Sequence, residues 1–295
     1  MSIFTGIWVA LVTPFSDGQV DHPALRKLVR HYAEAGVSGL VALGTTGEAA
    51  ALDQLEQQAL VHTVLDAAAG LPVIVGLGDN HSGQLHQNLR QFSERERDIA
   101  GFLIPAPCYV RPSQQGIIDH FTRLADASPV PLVLYDIPYR TGVEIELQTL
   151  LTLAAHPQIQ AVKDCSGSIS TTQALIADGR LQVLAGEDIN IFNSLCMGGS
   201  GAISASVNVW PQRFVALYRA VVEQRLHDAR AIFHELAPLI RLMFAEPSPG
   251  PVKALLAQQG WIRDELRAPM TAASPQLQAQ LRQLHLAQSE SCRDC

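Results

Sequence analysis

Short runs of apolar residues recur along the chain, separated by longer stretches in which apolar positions repeat every three or four residues. The runs fall at 7–13, 39–43, 72–76, 102–105, 131–135, 159–163, 181–185 and 201–204. Between them lie amphipathic segments at 22–35, 52–69, 82–98, 113–127, 144–155, 170–177, 189–197 and 211–222. In the first of these, Leu25, Leu28, Val29, Tyr32 and Ala33 share one helical face. Asp21 stands where an N-cap belongs and Gly36 where a chain leaving a helix needs a left-handed residue.

Strands bounded by Gly and Pro and alternating with helices predict parallel pairing, because each crossover needs a helix to return the chain. Near-continuous apolar strands further imply that both sheet faces are buried. Eight such units predict a closed (β/α)8 TIM barrel over residues 1–223, with a doubly wound open sheet as the alternative. The remaining residues, 224–295, are helical in pattern at 229–244, 251–259 and 275–286, with a break at Pro247-Ser248-Pro249-Gly250-Pro251. No low-complexity linker separates them, so they are expected to be a helical extension packed on the barrel.

Composition narrows the partners. Of 295 residues, 47% are hydrophobic and only 17% charged, which excludes long intrinsic disorder. The formal charge of -7, with no block of Lys or Arg, opposes binding to nucleic acid. The start of the chain carries no basic residue before a short apolar run, so neither a signal peptide nor a membrane span is expected and the cytoplasm is the expected compartment. Five scattered cysteines fit reduced thiols. Cys292 and Cys295 have CxxC spacing but no second half-site, and are read as part of a frayed terminus.

The chemistry collects where apolar runs end, which in a barrel is the face that carries active sites. Run two ends in Gly44-Thr45-Thr46-Gly47-Glu48, run four leads to Cys108-Tyr109, run five ends in Tyr135-Asp136-Ile137-Pro138-Tyr139-Arg140-Thr141-Gly142, and run six ends in Lys163-Asp164. Lys163 leaves an apolar strand, and burial should lower its pKa and free the amine to attack a carbonyl. The competing reading is a structural ion pair with Asp164 or Glu187. Surrounding hydroxyls favour the first, because a Schiff base needs proton relays and no metal. Tyr135 and Tyr109 could move protons, with Thr45 linking them. The turn Gly44–Gly47 lacks the Lys and Ser/Thr of a nucleotide loop and suits a small carboxylate instead. Arg140 could take a second carboxylate as a bidentate fork. Glu48 reads as a brace for the helix that follows, and Ser166 and Ser168 as the start of the helix after run six. No metal-ligand spacing and no dinucleotide fingerprint is present, so no cofactor is expected.

These residues together resemble the dihydrodipicolinate synthase and N-acetylneuraminate lyase family of class I, pyruvate-dependent aldolases. The resemblance covers nearly the whole chain and rests on the 44–48 turn, the Tyr135 segment with Pro138, and Lys163, which arrive in the family's order. It implies that Lys163 forms the imine with pyruvate and that Tyr135 transfers protons. Thr45 and Tyr109 would complete the relay, Tyr109 reaching a neighbouring subunit's site. Thr46 and Gly47 would hold the pyruvate carboxylate, with backbone from Ile203. Arg140-Thr141-Gly142 resembles the synthase branch, where the arginine binds the carboxylate of aspartate semialdehyde. It further implies two small-molecule substrates and a homotetramer built as a dimer of dimers.

Three departures from the family pattern bear on this. Asp136 replaces the usual Asn, Asp164-Cys165 the commoner Glu-Ala, and Cys108 a Tyr. Extra carboxylates beside an imine should raise the lysine pKa. They keep open a second branch, an aldolase or hydro-lyase for 2-keto-3-deoxy sugar acids. A small-carboxylate-binding barrel without catalysis is the alternative of a different class, opposed by intact Lys163, Tyr135 and Thr45. Synthases of the family are often inhibited by lysine through a polar cluster at the dimer interface. This chain offers Ala49, Gln54, Gln57, Gln84 and Cys108 there, with only Asn80 retained, so insensitivity to lysine is expected.

Overall fold

The computed structural model describes residues 3–95 and 98–291. These form a closed barrel of eight parallel strands. In chain order they are β1 (Gly6–Ala10), β2 (Gly39–Ala42), β3 (Val73–Gly76), β4 (Ile99–Pro105), β5 (Leu132–Asp136), β6 (Ile159–Asp164), β7 (Gln182–Ala185) and β8 (Gly201–Ser204). Each pairs with its sequence neighbours, and β8 closes on β1 through Ile203 opposite Trp8. The helices that return the chain are α1 (His22–Glu34), α2 (Gln54–Ala67), α3 (Ser82–Arg95), α4 (Gln114–Ala127), α5 (Leu147–Leu153), α6 (Ile169–Asp178), α7 (Ile191–Cys196) and α8 (Pro211–Val222). A closed TIM barrel with C-terminal helices is therefore the observed architecture, and the open sheet is excluded.

Two apolar layers hold it. Side chains alternate along a strand, so one set packs under the helices and the other fills the barrel. The inner set includes Trp8, Val41, Ile74, Leu103, Val133, Ala161, Leu184 and Ile203. The indole of Trp8 is the largest inner side chain, and Gly39 on the neighbouring strand makes room for it. A Cβ at Gly39 would stand 2.3 Å from the ring.

Element boundaries follow local hydrogen bonding. Asp21 caps α1 by accepting from the Ala24 amide at 3.0 Å, and Gly36 takes φ +78°. Strand β1 stops at Ala10 rather than 13, because the Val12 amide turns to the Asn208 side chain and the Thr13 hydroxyl to Gly47 O. Strand β4 begins three residues before the expected run: Ile99 pairs with Val73 and Gly101 with Ile74, a register irregularity that leaves Ala100 without a partner in the ladder. Helix α5 is shorter than 144–155. The Ile145 amide is taken by Asp136 Oδ1 and the Glu146 amide by Gln114 Oε1, which holds this segment outside the helix.

The C-terminal segment adds α9 (Leu226–Met243), α10 (Gly250–Gln258) and α11 (Pro275–Ser291). Helix α9 packs on α8, and Leu236, Leu239, Val252, Leu255, Leu277 and Leu281 join the same buried layer as the barrel helices. Cys292 and Cys295 lie outside the described residues.

Candidate active site

Tyr135 and Lys163 end neighbouring strands in direct register. Both sit at odd positions that face the barrel interior, with Val133 and Ala161 below them. Lys163 is 7% exposed, and its Nζ donates a hydrogen bond of 3.2 Å to the Tyr135 hydroxyl. Gly186, just past β7, is required here: a Cβ would lie 2.9 Å from Lys163 Cγ and 2.3 Å from Cys165 Sγ.

The electrostatics of the lysine correct the expectation from burial alone. Burial does oppose its ammonium, but Tyr135, Cys165 and Asp188 favour it, and the net pKa lies above the ordinary lysine value. The resting site therefore holds a cation. Burial raises the Tyr135 pKa, with Lys163 and Arg140 pulling the other way. Asp188, 2% exposed, accepts from the Ser206 amide at 2.8 Å while its other oxygen has no partner. Its carboxyl is raised by burial, against Ser206, Ser204 and Lys163. Neither Asp188 nor Gly186 was singled out from the sequence. The signal was present, since Gly186-Glu187-Asp188 ends an apolar run as the other site segments do.

Asp136 and Asp164 do not stand beside the lysine. Both occupy even strand positions and face the helix layer. Asp164 accepts from the Ser166 amide at 2.9 Å and pairs with the Thr172 hydroxyl, and Ser168 caps α6 through the Thr171 amide. Asp136 accepts from Ile145 at 3.2 Å with one oxygen, and its other oxygen is buried without a partner.

The remaining residues surround the mouth. Thr45–Gly47 form a single 3-10 turn in which the Gly47 amide returns to Gly44 O at 3.0 Å. Thr46 is buried and Thr45 exposed. Glu48 does not brace α2, which is capped by Asp53 in a box with Glu56. Its carboxylate instead meets Lys253 Nζ on α10 at 2.6 Å. Arg140 lies on a single helical turn, Pro138–Thr141, its guanidinium carbon 5.8 Å from the centre of the Tyr139 ring. Tyr139 donates to Glu187 at 2.9 Å. Ile203 is fully buried inside the barrel. Tyr109 is 89% exposed at φ +68°. Among the described residues, no hydrogen bond joins the Thr45 or Tyr109 hydroxyl to Tyr135, so the single chain assembles Lys163 and Tyr135 but not the full relay.

A TIM barrel with a buried amine and phenol at the carboxyl ends of its strands, ringed by hydroxyls and an arginine, is the frame of a barrel lyase. The chain belongs to the Dihydrodipicolinate synthetase family, whose sequence model matches residues 3–288. It is 40% identical over 275 residues to the 4-hydroxy-tetrahydrodipicolinate synthase of Haloarcula marismortui, covering 92% of this chain and 89% of that protein. The enzyme of the same name from Halorhodospira halophila is 37% identical, with 95% of this chain and 96% of the relative covered. Among solved structures, the 4-hydroxy-tetrahydrodipicolinate synthase of Methylacidiphilum fumariolicum superposes with TM-score 0.94 at 30% identity, covering 99% and 98% of the two chains. A dihydrodipicolinate synthase crystal structure gives TM-score 0.93 at 34% identity, covering 97% and 99%.

Burial pushes the Asp136 carboxyl up to about 7, with nearby Asp164 and Glu144 adding to the rise and the Ile145 amide opposing it. The folded protein thus keeps a proton that the unfolded chain releases near 3.8, so stability is lost as pH rises from about 4 to 7. Asp136→Asn keeps the Ile145 hydrogen bond without a charge. It should leave stability unchanged below pH 4 and add roughly 2–4 kcal/mol above pH 7. Denaturant midpoints measured across that range check the sign.

Proposed function

We propose that this protein condenses pyruvate with aspartate semialdehyde through an imine at Lys163, as a 4-hydroxy-tetrahydrodipicolinate synthase. The observation that carries the chemistry is the 3.2 Å contact between the buried Lys163 amine and the Tyr135 hydroxyl inside the barrel mouth. Once deprotonated, the amine adds to the pyruvate ketone, and loss of water leaves an iminium. That cation draws electrons from the adjacent methyl group, so a C–H proton is lost and an enamine forms. The enamine carbon attacks the aldehyde, whose oxygen takes up a proton. The amino group of the condensed product then displaces Lys163, closing the ring and regenerating the free amine.

Tyr135 lies where it can relay protons between the amine and the substrate oxygens. Thr46 would offer its buried hydroxyl to the pyruvate carboxylate, in the turn that Gly47 closes through Gly44 O, with backbone from Ile203. Arg140 stands at the exposed end of the mouth, where the aldehyde's carboxylate would enter. Thr45 and the outward Tyr109 extend the relay, Tyr109 into the site of a second subunit, which fits a homotetramer made of dimers. The carboxylates that favoured a sugar-acid aldolase, Asp136 and Asp164, point away from the lysine and carry no weight for that branch. Among the described residues no helix is long and apolar enough to cross a membrane. The reading is of a cytoplasmic enzyme acting on small molecules.

Borohydride added with pyruvate should fix a covalent adduct on Lys163, and Lys163→Ala should abolish both adduct and condensation while the barrel stays folded. Mass spectrometry locates the label, and label at another residue refutes the mechanism. Because imine formation requires loss of a proton from a group with a raised pKa, its rate should climb with pH through neutrality. Arg140→Ala should raise the KM for aspartate semialdehyde about 30- to 1000-fold, the worth of a charge-assisted fork of roughly 2–4 kcal/mol, and spare the pyruvate adduct. Equal kinetics for wild type and variant would leave Arg140 a loop residue.

Lysine inhibition provides a further test. The polar positions expected to hold lysine are turned to local partners. Gln57 donates to Ala49 O and Leu52 O at 3.1 and 3.2 Å, and Gln84 to Asn88 at 3.0 Å. With amides in place of charged acceptors, the cluster should lose roughly 2–3 kcal/mol for a buried ammonium. Millimolar lysine should therefore leave the activity intact, and half-inhibition below about a millimolar in a titration would overturn this.

A further inference from the structure

We propose that Lys253, on α10 of the C-terminal extension, is a positioning residue for the reaction: by gripping Glu48 it holds the Thr45–Gly47 turn in the shape that receives the pyruvate carboxylate. The inference rests on the reading above, in which that turn binds pyruvate.

Glu48 is the residue that closes the turn. Its amide donates to Thr45 O at 3.1 Å, and its backbone takes φ +51°, a conformation that a residue with a side chain seldom adopts unless it is held. Both carboxylate oxygens are engaged by the extension. Oε1 meets Lys253 Nζ at 2.6 Å, and Oε2 accepts from the Arg267 amide at 3.0 Å. Lys253 is wholly buried, its Nζ 4.3 Å from the centre of the Phe15 ring, and the Arg267 guanidinium carbon lies 4.6 Å from the same ring. Arg267 then forks onto Glu56 at 2.6 and 2.7 Å. On the barrel side, the Thr13 hydroxyl donates to Gly47 O at 2.6 Å. The turn is thus clamped between Thr13, just past β1, and two groups from outside the barrel, the Lys253 ammonium and the Arg267 backbone amide.

Stability alone is a poor reason for such a pair. Burying two charges costs about as much as their attraction returns, and apolar residues of similar size often serve a fold equally well. What an ion pair adds is direction. It fixes where the Glu48 carboxylate lies and so restrains the backbone on which Thr46 and Gly47 are carried. A displacement of about 1 Å in a substrate-positioning group is enough to cost on the order of 100-fold in rate.

The test separates positioning from support by trapping the pyruvate adduct with borohydride over a range of pyruvate concentrations, alongside thermal melting of the same samples. Lys253→Met should lower Tm and raise half-saturating pyruvate tenfold or more. Glu48→Met combined with Lys253→Met, which removes both charges, should recover Tm and keep the weakened pyruvate binding. Glu48→Gln is isosteric, guards against a variant that does not fold, and should raise half-saturation at least threefold. Half-saturation within twofold of wild type in the folded double variant, or in Glu48→Gln, would reduce the pair to a structural tie and overturn the proposal. Failure of wild type to trap at Lys163 removes the reading of the site and this inference with it, whereas trapping with unaltered variants removes this inference alone.

Discussion

The site is organised around one costly object, an amine placed in an apolar cylinder. Val133, Ala161, Leu184 and Ile203 surround the level at which Lys163 leaves its strand. A charged group there loses most of its hydration, a loss that an isolated lysine would answer by giving up its proton. Here the answer is shared between a phenol in contact, a thiol two residues along the chain, and the Asp188 carboxyl delivered from the end of β7. Gly186 leaves the space that the lysine stem occupies. The barrel thereby maintains a buried cation, and under the mechanism proposed above the proton that separates it from the free amine becomes part of the chemistry.

Strand alternation explains most of what could be read from the residues and one thing that was misread. The apolar runs, their Gly and Pro boundaries and the helical spacing between them give eight strands and a closed barrel because each is a local property. The same period-two rule assigns Tyr135 and Lys163 to the interior, and by identical logic it sends Asp136 and Asp164 to the outer layer. Placing those carboxylates beside the imine treated adjacency in sequence as adjacency in space. The net pKa of Lys163 was not legible in one run, since it depends first on Tyr135 and Cys165 and then on Asp188, and the pairing of β6 with β5 and β7 is what brings Tyr135 and Asp188 near. The shortened α5 has a similar origin. Its first amides are claimed by Asp136 and Gln114, and no windowed pattern contains both partners.

The extension illustrates a different limit. Residues 224–295 have helical periodicity, but nothing in that periodicity says which barrel feature they serve. Lys253 stands in an apolar helix as a lone cation, and Glu48 follows a glycine turn as a lone acid, 205 positions apart. Each alone reads as a surface residue or a local cap. Only together do they explain why both can be buried.

Two buried lysines therefore lie in different apolar layers, Lys163 inside the barrel and Lys253 outside it, and the geometry of their partners differs. Both amines lie 4.3 Å from the centre of an aromatic ring, Lys253 over Phe15 and Lys163 over Tyr135, but Lys253 is also locked to a carboxylate at 2.6 Å, which fixes its position and its charge. Lys163, among the described residues, hydrogen-bonds only to the Tyr135 hydroxyl, at 3.2 Å. A phenol can pass a proton as well as hold one, so this amine is restrained in place but not committed in charge. Keeping Asp188 within electrostatic range, with its carboxyl held by Ser206 rather than by the amine, supports the ammonium without capturing it.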